Sequence, residues 1–591
     1  MTAIVGEALV RRLVDWGVDT VFGLPGDGIN GMMEGFRRHR DRIRFVLVQH
    51  EEAAAFMACG HAKATGRLGV CVATSGPGAI HLLNGLYDAK LDHAPVLALT
   101  GMQETGLLGS YYQQEVHVDR LFADVAEYNL MVTNPAQIPG VVDVAVRTAL
   151  TRRGVAHLSL PNDIQVAPAG VNPYRHLGPG EPPHGMPDGV RAAADPTDAD
   201  LRAAARVLNQ GTRVAVLVGA GALGAGDEVR AVAEALGAPI VKTLPGKAVV
   251  DDDDPLTTGG LGLLGTRPSE ELMRECDTLL MVGTSFPYAS YLPAPDRVRV
   301  VQIDHDPSLI GLRLPVEAPL TGDARRVLRS LLPMLAPRDR SFLRRYQRRA
   351  RAWRAEMAAL CDGGRTPIAP QYLMCCVDRA ADDDAVLTCD SGTVATWAAR
   401  HFTIRGGRRF YLSGNLASMA PGLPYAVAIQ LAFPGRQVIA FVGDGGFAML
   451  MAEFLTAVRY ELPIKVVINN NNSYGQILWE QIVLGYPEYG VRHHAPEADF
   501  AAWARGCGAF GRKVGDPHDL PGAVRAALAH PGPALVDCTV NPNEPPMPGK
   551  VSYDQAKSFT EAFLRGQPHK AAIVANVTRD KLSELRSRAT R

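Results

Sequence analysis

The chain has 591 residues, more than one hydrophobic core can organise, so two to four domains are expected. Its 61 Lys and Arg balance 61 Asp and Glu, which excludes a net field that would recruit nucleic acid or anionic lipid. A hydrophobic fraction of 47% with 21% charged residues is that of an ordinary globular protein, and no apolar run approaches the ~18 residues of a membrane span.

The opening MTAIVGEALVRRLVDWGV carries charge through its apolar positions and reads as an amphipathic helix, not a signal peptide. Residues 1–176 alternate strand and helix. DTVFGL, IRFVLVQH, LGVCVATSG and APVLALTG are short β-branched runs, with helical stretches such as EEAAAFMACGHAKATG between them. A Pro- and Gly-rich stretch, 177–189, reads as a linker. Residues 190–335 form a second α/β segment with strands in TRVAVLVGAGA, APIVKTL, DTLLMVGTSF and RVRVVQID, followed by a basic helical arm. Residues 366–545 form a third, with strands in AVLTCD, RQVIAFVGD, PIKVVINN and PALVDCTV, and 546–591 is a tail of one or two short helices. The expected fold is therefore α/β, with three doubly wound parallel sheets. The nine cysteines are scattered, with Cys375-Cys376 the only adjacent pair and no CxxC spacing, so reduced thiols and a cytoplasmic setting are expected.

The third segment carries the clearest chemistry. Asp444 ends one expected strand, and Asn470 and Asn471 end the next. In open α/β sheets ligands bind beyond the carboxyl ends of strands. A carboxylate and an amide oxygen converging there suit Mg²⁺, which shares its sphere with phosphate oxygens. Gly443, Gly445 and Gly446 let backbone approach an anion at the start of the following helix. A helix-capping aspartate and an Asn-rich turn explain either cluster alone, but not their ordered pairing.

Gly443-Asp444-Gly445, with Asn471 27 positions after Asp444, resembles the thiamine diphosphate signature of the decarboxylase, acetolactate synthase and pyruvate oxidase superfamily. VFGLPGDGING, QHEEAAAFMACGHAKATG and ATSGPGAIHLLNGLYDAKLDHAPVLAL resemble its N-terminal pyrimidine-binding domain. LPGKAVVDDDDPLTTGGLGLLG, VGTSFPY and VQIDHDPSLIG resemble its central domain. GKVSYDQAKSF is most similar to the pyruvate oxidase and quinone-dependent pyruvate dehydrogenase branch.

The resemblance implies roles. Glu51 becomes the carboxylate that holds the cofactor's aminopyrimidine and drives loss of the thiazolium proton. Asp444, Asn471 and the Ser473 carbonyl become Mg²⁺ ligands. Gly445 and Gly446 line the diphosphate, Gly392 and Thr393 face it, Tyr474 and Gly475 also contact the cofactor, and Ala417, Ser418 and Met419 lie under the two rings, with Met419 as an apolar wedge. Glu480, Gln114 and His93 border the active site. Leu261, Gly262, Leu263, Leu264, Thr284, Ser285, Phe286, Pro287, Tyr288 and Asp304 match FAD-contacting segments of the oxidase branch, whereas Gly219-x-Gly221-x-x-Gly224 alone is weak evidence.

Two positions depart from the family pattern: Gln113 replaces an expected Phe, and Gln476 an expected apolar residue. Both make the pocket more polar.

The expectation is a flavoprotein using thiamine diphosphate, Mg²⁺ and FAD to oxidise pyruvate or a similar 2-oxo acid, with quinone or oxygen as acceptor. Alternatives are an acetolactate synthase-like carboligase with structural FAD, and a non-catalytic scaffold, which the presence of Glu51, Asp444 and Asn471 disfavours. The family completes each site across subunits, implying a homodimer or homotetramer. Phe559, Phe563 and Leu564 share one side of a short helix ahead of the basic Lys581, Arg586, Arg588 and Arg591. This implies at most a weak peripheral contact with anionic lipid through the tail.

Overall fold

The computed structural model describes residues 3–138, 140–170, 195–493, 497–546 and 553–589. The expected linker 177–189, the tail from Met547 to Ser552, and the side chains of Lys581, Arg586, Arg588 and Arg591 lie outside them.

The described strands form three six-stranded parallel sheets. The first contains β1 (Thr20–Gly23), β2 (Arg44–Leu47), β3 (Gly69–Ala73), β4 (Val96–Met102), β5 (Ala126–Met131) and β6 (Val155–Pro161). The second contains β7 (Val214–Val218), β8 (Ile240–Lys242), β9 (Thr257–Gly260), β10 (Thr278–Val282), β11 (Arg299–Asp304) and β12 (Ala318–Thr321). The third contains β13 (Val386–Cys389), β14 (Arg409–Tyr411), β15 (Val438–Gly443), β16 (Lys465–Asn470), β17 (Phe510–Val514) and β18 (Ala534–Thr539). Inner strands such as β4 and β7 are buried along their whole length, because helices cover both faces of each sheet.

The first sheet runs β2-β1-β3-β4-β6-β5 and the third β14-β13-β15-β16-β18-β17, the same order counted from each sheet's first strand. The middle sheet, β12-β11-β10-β7-β8-β9, has the dinucleotide-fold order with its switch point between β7 and β10. Each run of sequence read as a strand contains one. β5, β6, β9, β12, β14 and β17 had no such reading.

The first and third sheets share one core. Helix Glu51–Thr65, rich in small residues, packs against helix Gly422–Ala432, and Ala54, Phe56 and Met57 join Tyr425, Ala428 and Phe447 in a single buried cluster. A Cβ on Gly60 would press on the Tyr425 ring, so the close approach requires glycine. Lys63 crosses this interface to Asp92 (2.7 Å) and the Tyr425 hydroxyl (2.6 Å), while Asp92 accepts the backbone N–H of Gly414 and Asn415.

One expectation is corrected. Cys361 and Cys375 form a disulfide, because the fold folds the chain back so that their Cα atoms lie 6.0 Å apart; the other seven cysteines are free. The apolar face of the tail is in use: Phe559 and Phe563 pack with Ala562 and Ile573 against Leu478, Trp479 and Ile482 of helix Gly475–Val483, leaving Leu564 exposed. Among the described residues no helix is long and apolar enough to cross a membrane.

Candidate active site

A cavity of about 1490 Å³ opens where the carboxyl ends of the second and third sheets face each other. The strand ends explain it. β15 and β16 are adjacent and parallel, so Asp444, just past β15, and Asn471, just past β16, reach the same rim. Of the catalytic, metal-binding and cofactor-binding residues that the family resemblance implied, all but Glu51, Gln114 and Ser418 line this one cavity.

The rim holds buried polar atoms without partners. Asp444 is 4% exposed, and its Oδ2 has no hydrogen-bond partner. Burial pushes its carboxyl up to about 7 against the pull of nearby backbone N–H groups. Asp390, at the end of β13, accepts the Gly422 N–H at 2.8 Å through Oδ1, while its Oδ2 is unpartnered, and burial raises it too to about 7. The Ser473 hydroxyl and Asn469 Oδ1 are likewise buried without partners. A Cβ on Gly446 would collide with the Asp390 carboxylate, so the close approach of that carboxylate to the turn requires glycine. Asn471 Oδ1 accepts Ser473 N–H at 3.1 Å, fixing the loop between two residues that line the cavity. Asn470 departs from expectation: it is buried and its Nδ2 donates to Asp537 at 3.0 Å, so it braces β16 rather than facing the rim. Sequence reasoning missed Asn469, and also His493, whose Nε2 lies 3.8 Å from Asp444 Oδ2.

The floor and mouth follow. Ala417 (φ 57°) and Met419 line the cavity; Ser418 turns its hydroxyl to the Met419 carbonyl and accepts from Asn84. Gln476 Nε2 donates to Glu480 Oε1 at 2.9 Å, placing an amide–carboxylate pair at the mouth. Thr393 and Gly392 open the helix Thr393–His401 on the cavity wall. At the other end of that helix Arg400 donates to the carbonyls of Leu263 and Leu264.

The second domain supplies the rest of the cavity through Leu261–Leu264, Thr284–Tyr288 and Asp304. Gly262 adopts φ 97°, and Phe286 meets Tyr288 edge-on at 5.6 Å. Asp304, at the end of β11, is 5% exposed and accepts Asp306 N–H at 3.2 Å. His93 faces this half, near His305 and Asp304; burial and the charges of His305 and Arg153 lower its pKa.

Glu51 sits elsewhere, on the first domain. It begins helix Glu51–Thr65, is 6% exposed, and its Oε2 lies 2.9 Å from His81 Nδ1. Gln114 borders the same turn, with its Oε1 3.2 Å from Ser75 Oγ. Glu453 holds this turn from below: its Oε1 accepts Gln49 and His50 N–H at 2.9 and 3.0 Å. Nothing in the sequence around Glu453 signals that role, since its partners lie some 400 positions away.

Comparison with known proteins gives three family matches in chain order: the thiamine pyrophosphate enzyme N-terminal TPP binding domain over 4–121, the central domain over 201–331 and the C-terminal TPP binding domain over 390–538. The chain is 42% identical over 561 residues to the putative thiamine pyrophosphate-containing protein YdaP of Bacillus subtilis, covering 95% of each. It is 33% identical over 571 residues to the pyruvate oxidase of Lactiplantibacillus plantarum, covering 95% of this chain and 93% of that one. It is also 33% identical over 561 residues to an acetolactate synthase large subunit of Parasynechococcus marenigrum, covering 91% and 87%. These matches span all three sheets and both halves of the site, and the chain belongs to the thiamine pyrophosphate enzyme family.

Proposed function

We propose that the protein oxidatively decarboxylates pyruvate or a similar 2-oxo acid, using thiamine diphosphate, Mg²⁺ and FAD, and passes electrons to quinone or oxygen. One observation carries the reading: a single cavity joins the Asp444–Asn471 rim to the Leu261–Leu264, Thr284–Tyr288 and Asp304 segments of a dinucleotide-order sheet. A carbon-oxidising centre and an electron acceptor require that adjacency. The similarity to a pyruvate oxidase supports it.

The residues fit the groups. Unpartnered Asp444 Oδ2, buried at a rim with Asn471 and Ser473, suits a hard divalent cation with a diphosphate behind it, and the Gly445-Gly446 turn leaves room for the anion. Thiamine diphosphate, when bound, supplies a carbon nucleophile that takes up the electrons released as CO₂ leaves. Asp444, Asn471 and the Ser473 carbonyl hold the cation, and Met419 supports the cofactor rings. Gly262 and Thr284 offer backbone to a flavin pyrophosphate, and Asp304 accepts from a ribose hydroxyl. Glu51 lies outside this cavity in the single chain; supplied by a second copy, its carboxyl would hold a proton against the pyrimidine ring, and the working unit would be a dimer or larger.

Anaerobic mixing of the holoenzyme with pyruvate tests the reading: the flavin absorbance bleaches and acetate or an acyl product accumulates. A flavin that stays oxidised while acetolactate forms overturns it. That outcome belongs to the second reading, a carboligase with structural FAD, which the acetolactate synthase relatives favour.

A further inference from the structure

Cys361 follows the connecting helix Ser341–Ala359 and is half-buried, flanked by the exposed Asp362 and Gly364. Cys375, its disulfide partner, is buried on helix Pro370–Ala380. His401, at the last position of helix Thr393–His401, is 7% exposed. Its Nδ1 lies 3.9 Å from Cys361 Sγ and 3.8 Å from Cys375 Sγ. One imidazole nitrogen thus addresses both sulfurs of a bond whose outer cysteine is half-buried and whose inner one is buried.

We propose that Cys361, Cys375 and His401 form a thiol–disulfide exchange site, opened by a small thiol and closed again by the matching small disulfide. Nothing in the thiamine chemistry requires it, and it stands independently of the proposed oxidation of 2-oxo acids.

The chemistry balances with that reagent class. A small thiolate attacks Cys361 Sγ; the Cys361–Cys375 bond breaks, a mixed disulfide forms on Cys361, and Cys375 leaves with the electron pair and takes the thiol's proton. A second small thiol attacks the outer sulfur of the mixed disulfide, releases the small disulfide and leaves Cys361 protonated. Two electrons and two protons pass in total. Burial first, and the positive charges of Arg400 and Lys247, push His401 down to about 3, so it stays neutral at ordinary pH and its Nδ1 accepts a hydrogen bond from the S–H of opened Cys375 without taking up the proton. The Met357 carbonyl, 3.7 Å from Cys361 Sγ, accepts the S–H of the opened form. The order of attack follows from burial: Cys361 is the entry sulfur and Cys375 the leaving one on opening, and Cys375 resolves the mixed disulfide on closing.

The place matters. The site joins the connecting helix to the third domain, and Arg400, next to His401, holds the Leu263 and Leu264 carbonyls of the cavity wall. Where thiols are kept reduced, a bond of this kind closes on oxidation.

The test uses full-length holoenzyme without denaturant, treated with dithiothreitol, alkylated and mapped by mass spectrometry. Cys361 and Cys375 are expected to take label together, with half-buried Cys507 labelled with or without dithiothreitol as an internal control, and oxidised glutathione is expected to close the pair again. Cys375→Ser is expected to trap glutathione on Cys361, and His401→Gln to slow opening at least about tenfold at unchanged thermal stability. A pair that resists dithiothreitol until the protein is unfolded overturns the proposal. So does glutathione found on Cys375 in a Cys361→Ser variant, or wild-type opening in His401→Gln. So does purified protein carrying one zinc per chain on both free thiols, since two cysteines and a histidine also suit a soft divalent ion.

Discussion

Glu453 accepts the backbone N–H of His50 at 3.0 Å, so a carboxylate of the third domain holds the residue that precedes Glu51. Glu453 is fully buried, also accepts Gln49 N–H, and receives the Thr456 hydroxyl on its other oxygen. The turn that presents Glu51 is thus fixed by the domain that carries Asp444.

Glu453→Ala is expected to leave the half-buried Gln49 and His50 N–H groups without their acceptor and to lower the denaturant midpoint. Glu453→Gln keeps an acceptor. Burial raises the Glu453 carboxyl from 4.5 to about 7, so the folded state binds its proton more tightly than the unfolded chain. Its contribution is therefore full below about 4.5 and is lost as pH rises through about 7. The Gln variant is expected to gain on the parent between pH 5 and 8, and parallel denaturation curves across that window would count against the buried ionisation.

Glu51→Gln is expected to keep fold and cofactor binding while slowing C2 proton exchange of bound thiamine diphosphate about 10²–10⁴-fold, measured by quenched deuterium exchange. Exchange at the parent rate would remove Glu51 from the chemistry.

Asp444→Ala is expected to abolish Mg²⁺-dependent retention of thiamine diphosphate, because the diphosphate loses its bridging cation. Calorimetry showing equal cofactor affinity in parent and variant would assign the rim another ligand.

The tail should dock in a pH-dependent way. Arg365 pairs with Glu544 at 2.7 Å and with Asp580 of the last helix at 3.3 Å. Burial first, and the charge of Glu544 second, raise Asp580 to about 7, while Arg365 and Arg579 oppose the rise. Raised above its unfolded value of 3.8, the group stabilises docking at low pH and loses that contribution as pH climbs to about 7. Backbone amides of 570–580 are expected to lose protection, measured against their intrinsic exchange rate at the same pH, between pH 6 and pH 8, and Asp580→Asn to remove that loss.

Truncation after Pro546 is expected to expose Leu478, Trp479 and Ile482 and to loosen the helix that carries Gln476 and Glu480. Turnover with a soluble dye should then fall as much as turnover with quinone. A loss confined to quinone would return the tail to lipid delivery.

The motifs that run continuously in sequence were readable before the fold. FVGDGGF and INNNNS each end a β-branched run, and adjacent parallel strands then bring the two ends together. The strands without a reading are mostly short sheet edges: β14 has three residues, and β9 is Thr-Thr-Gly-Gly. Such segments lack the apolar run that marks a strand covered on both faces. Contacts that depend on distant pairing were unreadable for the same reason throughout. Glu453 with His50, Lys63 with Asp92 and Tyr425, and Cys361 with Cys375 and His401 become neighbours only once the sheets are stacked, and no local spacing announces them.

The equal strand order of the first and third sheets gives the chain two sockets of one design. In each, the loops after the third and fourth strands do the work: Ser75–Gly78 and the Gln114 loop follow β3 and β4, and Asp444–Gly446 and Asn471–Ser473 follow β15 and β16. Two sheets of one strand order need to differ only in such loops to offer different surfaces at their carboxyl ends. The strands beneath can remain interchangeable, so divergence should concentrate in a few turns, and swapping those turns between the sheets is the way to ask how much of each specificity they carry.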